Sequence, residues 1–65
     1  MTPRYIVQNL PGTPWPRTWM VVDRLIGLPA TANERPQMHL TLDEALDMSA
    51  ELNIADRQRR TATLQ

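Results

Sequence analysis

The segment Arg4-Tyr5-Ile6-Val7-Gln8-Asn9 gathers β-branched and aromatic side chains between Pro3 and Pro11, a pattern that predicts a first strand. Leu10 to Arg17 then holds three prolines and one glycine in eight residues, a density that neither a helix nor a central strand tolerates. That stretch is a loop, and its prolines reduce the entropy lost on ordering, so it reads as a stiff arm. A second strand is predicted over Thr18–Leu25, with Trp19, Val21 and Asp23 on one face and Met20, Val22 and Arg24 on the other. Both faces are apolar in its first half, which implies cover on two sides: a helix on one, a second subunit or partner on the other. Asp23 followed by Gly27 predicts a tight turn in which the carboxylate caps backbone N–H groups and the glycine takes a positive φ. A return strand from Leu28 is held to an edge position by Pro29. Residues 29–37 show no period and read as a surface connection, and Gln37-Met38-His39-Leu40 offers a further brief strand.

Thr41-Leu42-Asp43-Glu44 matches a capping box, in which the threonine hydroxyl accepts from the Glu44 N–H while the glutamate reaches back. A helix therefore starts at Thr41. At 100° per residue, Leu42, Ala45, Leu46, Met48, Ser49, Leu52 and Ala55 form a broad core side, and Asp43, Glu44, Asp47 and Glu51 a wet one. Two ends are open to this helix: a cap at Asn53, or continuation through Ala55-Asp56-Arg57-Gln58-Arg59-Arg60 with its cations at the negative end of the dipole. Residues 61–65 read as a frayed tail behind a single domain over residues 1–60.

A chain of 65 residues has room for one thin core. Small domains compensate with disulfides, a structural metal or self-association. There is no cysteine, and His39 is the only histidine, so no disulfide and no thiolate or imidazole zinc site can be assembled. Burial against another copy is what remains, and a homodimer through the second apolar sheet face is expected. The seven cations, all arginine, balance seven acids, which removes the strong positive field of a general phosphate binder. No apolar segment is long enough for a membrane span or an export signal, and a cytoplasmic setting follows as the default.

Candidate chemistry is sparse. His39 has no acid within three positions and reads as a structural residue, and the helix acids have the spacing of a solvated face, so no catalytic, metal or cofactor residue is assigned. Neither Gly12 nor Gly27 leads into a helix, which excludes a phosphate loop. Trp19 reads as core. Trp15, set between Pro14 and Pro16, is either a lid folded back over the sheet or a projecting anchor. Trp15, Arg17 and the adaptable Met20 are the candidate contacts to a partner protein. Arg57, Arg59 and Arg60 are the candidate contacts to nucleic acid.

The strand Trp19-Met20-Val21-Val22-Asp23, the turn at Gly27, and a helix carrying Glu44-Ala45 and Ala50-Glu51-Leu52-Asn53 resemble small uncharacterised phage and prophage proteins with a W-x-V-x-D, turn, E-A, A-x-L-N layout. The resemblance covers residues 18–53, and departs from the pattern at Ile26, where a threonine is usual, and at Pro29. It implies a β-β-α accessory protein that binds and redirects a host protein, and it carries over no functional residues. The resulting expectation is an α+β domain with two or three antiparallel strands and one C-terminal helix, non-catalytic and dimeric. It would bind and modulate or inhibit another protein. A dimeric DNA-binding transcriptional or recombination regulator is the alternative.

Overall fold

The computed structural model describes residues 3–63, with side chains described through Arg60. Strand β1 (Tyr5–Asn9) pairs antiparallel with β2 (Trp19–Asp23), which pairs with the short β3 (Leu28–Pro29), giving the sheet order β1-β2-β3. The register sets Tyr5 against Asp23, Val7 against Val21 and Asn9 against Trp19. The chain is thus α+β, with a three-stranded antiparallel sheet and one C-terminal helix, as the alternation and the capping box lead one to expect. Pro29, with no N–H to donate, limits β3 to two residues at the edge.

The turn after β2 forms as its chemistry requires. Asp23 Oδ1 accepts from the Leu25 N–H at 3.0 Å, and Gly27, at φ +71°, returns its N–H to the Asp23 carbonyl at 2.8 Å.

Residues 29–37 are more ordered than a plain connection. They contain a two-stranded hairpin, β4 (Thr31–Ala32) with β5 (Arg35–Pro36), joined through Asn33 and Glu34 at φ 54° and 63°. Two consecutive positive φ values match the twist of a two-residue hairpin loop. Glutamate in place of the usual glycine hides that turn from the sequence. Gln37, buried beside the hairpin, donates from Nε2 to the Ala32 and Arg35 carbonyls at 3.1 and 3.2 Å, so its side chain ties the two strands together. The brief strand proposed at residues 37–40 is reduced to an isolated bridge: Trp19 and Leu40 exchange N–H to carbonyl bonds at 3.0 and 2.9 Å.

Helix α1 (Leu42–Thr63) opens on the capping box, with the Thr41 N–H donating to Glu44 Oε1 at 2.9 Å and the Glu44 N–H to Thr41 Oγ1 at 3.2 Å. It does not stop at Asn53. It runs on to Thr63, so residues 61–63 of the expected tail are helical, while Leu64 and Gln65 lie outside the described residues. The core is small: Tyr5, Val21, Ala30 and Ala45 are buried, with Val7, Trp19, Leu40, Met48 and Leu52 packed around them. Trp19 is half-buried and belongs to this cluster.

The helical face against the sheet is narrower and more polar than periodicity suggests. Ala45, Ser49 and Asp56 are buried, whereas Leu42, Leu46 and Ala55 are exposed. Asn53, half-buried, turns to the sheet instead of capping the helix. Its amide accepts from the Tyr5 N–H and donates to the Tyr5 carbonyl, both at 2.9 Å, at the outer edge of β1. These two bonds hold the helix against that strand, and the fold continues past Asn53 because Asp56 is also needed on the sheet side.

Candidate interaction surfaces

Three surfaces bear on function: a proline-rich loop, the sheet face away from the helix, and an arginine-lined cleft near the C-terminal half of α1.

The loop between β1 and β2 is held in shape by local bonds. The Leu10 N–H donates to the Thr18 carbonyl at 2.6 Å, the Thr13 hydroxyl to the Leu10 carbonyl at 2.7 Å, and the Arg17 N–H to the Pro14 carbonyl at 3.2 Å. Trp15, preceding a cis proline, sits at its tip with 84% of its surface exposed. Of the two readings open in the sequence, the lid is therefore overturned: Trp15 does not fold back over the sheet. Arg17 anchors the loop to the helix, since Nη1 lies 3.0 Å from Glu44 Oε1. The Thr41 N–H first, then the Arg17 charge, hold the Glu44 carboxyl below its ordinary range. Arg17 thus positions the loop, with its guanidinium already engaged.

Alternation places Tyr5, Val7, Trp19 and Val21 toward α1 and Ile6, Met20 and Val22 on the opposite face. Those three apolar side chains are each half-buried. Beyond them Leu25, Ile26 and Leu28, in and after the β2–β3 turn, are exposed. Met20 and Trp15 are both accessible, but no contact joins them among the described interactions.

A cleft of about 580 Å³ is lined by Pro3, Arg4, Arg24, Leu25, Asp56, Arg59 and Arg60. Its floor is an ion-pair network that sequence reading missed. Arg4 grips Asp23 through two parallel bonds, Nε to Oδ1 and Nη2 to Oδ2, both 2.9 Å, and reaches Asp56 with Nη1 at 3.1 Å. Arg60 closes on the other Asp56 oxygen at 2.6 Å. Both carboxylates are buried. The Arg4 hydrogen bonds hold the Asp23 carboxyl below its ordinary range. Burial pushes Asp56 up, but its bonds to Arg4 and Arg60 prevail and it too titrates low. Arg4 in turn is held more firmly protonated by the two acids. Of the three arginines proposed for nucleic acid, Arg60 is committed to Asp56, and Arg59 lines the cleft with it; Arg57 lies elsewhere on the exposed helix surface.

His39 is exposed, at φ 57°, and offers its carbonyl to Arg17 at a long 3.5 Å. Among the described residues no group of three or more His, Cys, Asp or Glu converges as a metal site. None of the described helices is long and apolar enough to cross a membrane. Comparison of the chain with protein-family models, curated proteins and solved structures found no match.

Proposed function

We propose that this chain is a small non-catalytic module that binds and modulates another protein, using Trp15 as its anchor. The observation that carries this reading is a tryptophan 84% exposed on a loop braced by prolines and local hydrogen bonds. An indole in water is a standing loss of hydrophobic free energy, and aromatic anchors dominate protein interfaces. The brace means that little loop entropy remains to be lost when a partner closes over the ring. Met20, with Ile6 and Val22, supplies a second apolar contact area, and Arg17 keeps the loop in register with the helix. The phage-type accessory role implied by the sequence resemblance fits such a module.

Replacing Trp15 with alanine tests this directly. The variant should melt within about 2 °C of the wild type, because so exposed a ring contributes little to folding. Its capture of the partner from a native host lysate should fall roughly 30-fold, the loss typical of a hot-spot residue. Unchanged capture would remove Trp15 from the interface.

The nucleic-acid reading draws on Arg24, Arg59 and Arg60 lining one cleft. It requires DNA affinity that falls steeply with salt, which a gel shift at two salt concentrations measures. With Asp56 on the cleft floor and no net charge, we expect no such shift.

A further inference from the structure

We propose that a second copy of this chain adds to the open edge of β1, giving a two-fold dimer with one continuous six-stranded sheet. The edge is defined by where the backbone groups go. Val21 sends its N–H to the Gln37 carbonyl and receives the Ala30 N–H on its own, and Trp19 exchanges both its bonds with Leu40. Both residues therefore turn their main-chain groups away from β1. Their register partners Val7 and Asn9 are non-hydrogen-bonded positions, and their N–H and C=O groups point outward from the sheet. No hydrogen bond meets those groups among the described residues. The equivalent groups of Tyr5 are filled by the Asn53 amide.

These facts select one antiparallel register. Pairing Val7 with Asn9 of the partner subunit, about an axis through Gln8, satisfies four N–H groups with four carbonyls. Shifting the axis to Val7 would call on Tyr5, already occupied by Asn53. Shifting it to Asn9 would set Val7 opposite Pro11 of the partner subunit, which has no N–H. In the favoured register Pro11 falls opposite Tyr5 instead, so the ladder ends where the asparagine cap and the proline already end it.

The helix fits the same axis. Leu42, Leu46, Ser49 and Asn53 follow one line along α1 at spacings of four, three and four, and Asn53 marks that line as the flank beside the β1 edge. Leu46 is 50% exposed and Leu42 43%. From Tyr5 to Gln8 is about 10 Å along a strand. That distance is roughly seven helical residues at 1.5 Å each, which leads from Asn53 back to Leu46. Leu46 therefore stands level with the two-fold axis and meets its own copy there. A helix seated between β1 and β2 lies about 5 Å from that axis, given strand spacings near 4.8 Å. The two helices would then run antiparallel about 10 Å apart, at the outer end of ordinary helix packing distances. An isologous contact of this kind closes on itself and removes the open edge. It leaves the Trp15 loop and the Ile6, Met20, Val22 face outside the contact, and it does not rest on the partner-binding reading above.

The chain has no cysteine, so a single introduced thiol reads the register. On the axis Gln8 faces Gln8 of the partner subunit in a non-hydrogen-bonded pair, with Cα atoms about 4.5 Å apart, within disulfide reach. Under mild oxidation Gln8→Cys should cross-link to a dimer at least roughly tenfold faster than Leu25→Cys, an exposed control in the turn between β2 and β3. Leu46→Glu, which sets two carboxylates on the axis, should weaken wild-type self-association in sedimentation by roughly tenfold or more while retaining its helical circular dichroism. If Leu46→Glu fails to fold, the Gln8→Cys comparison still decides. A wild-type chain that sediments as a monomer at high micromolar concentration overturns the proposal. So does a Gln8→Cys rate no greater than the control, or a dimer that cross-links through Met20→Cys instead.

Discussion

Replacing Arg4 with methionine is expected to lower the melting temperature at pH 7 by on the order of 20 °C. The guanidinium makes three bonds to two buried carboxylates that belong to different elements, Asp23 at the end of β2 and Asp56 in α1. Methionine keeps much of the volume and removes the charge, which leaves Asp23 with the Leu25 N–H and Asp56 with Arg60 as partners. Two buried acids with one arginine between them are a far worse arrangement than two acids with two. The pH dependence identifies the cause. Both carboxyls titrate lower in the folded chain than in the unfolded one, where an aspartate titrates near 3.9. Their contribution is therefore complete above about pH 4 and is lost as pH falls through the folded values below it. Thermal melts should show the gap between wild type and Arg4→Met at full size from pH 5 to 8 and narrowing below about pH 4. A gap that keeps its full size below about pH 4 would mean that Arg4 acts through packing alone.

Val21→Ala is expected to cost about 2 kcal/mol, or roughly 10 °C in melting temperature, with an unchanged dependence on denaturant. Val21 is fully buried at the centre of the middle strand, against Tyr5, Ala30 and Ala45. With four buried hydrophobic residues in the core among the described residues, the space left by two methyl groups has few neighbours able to move into it. Because the substitution touches no charge, its effect should be the same at pH 5 and pH 8. Equilibrium urea unfolding at the two pH values measures this, and a loss below about 0.5 kcal/mol would show that the core collapses around the gap.

The parts of this fold that were legible in the sequence are those settled by neighbours in the chain. The capping box at Thr41 and Glu44 and the turn from Asp23 to Gly27 are each completed within five residues, and each forms as read. The alternation in β2 set Trp19 and Val21 on one face, apart from Met20 and Val22, and that division holds, with Trp19 and Val21 in the core cluster. What periodicity missed depends on distant pairs. Asn53 reads as one of two open helix ends, and the choice is made by Tyr5, 48 residues away, which takes its amide. Asp56 reads only as part of a possible helix extension, and nothing near it in the chain shows that Arg4, 52 residues away, draws it inward. Those two attachments rotate the helix so that Ser49 and Asp56 are buried while Leu42 and Leu46 are exposed. Among the candidate contacts, Trp15 was identifiable by its flanking prolines, but its exposure was not. The engagement of Arg17 with Glu44 required the loop and the helix start to be brought together in three dimensions.

The amide of Asn53 stands in for a missing neighbour strand, presenting one oxygen and one nitrogen where a peptide group would present the same pair. That mimicry hangs on a single atom. Hydrolysis of the side chain to a carboxylate would put an oxygen in place of the nitrogen, 2.9 Å from the Tyr5 carbonyl, and turn attraction into repulsion. Chemical ageing at one position would thus unpin the helix from the strand and expose fresh edge without cutting the chain.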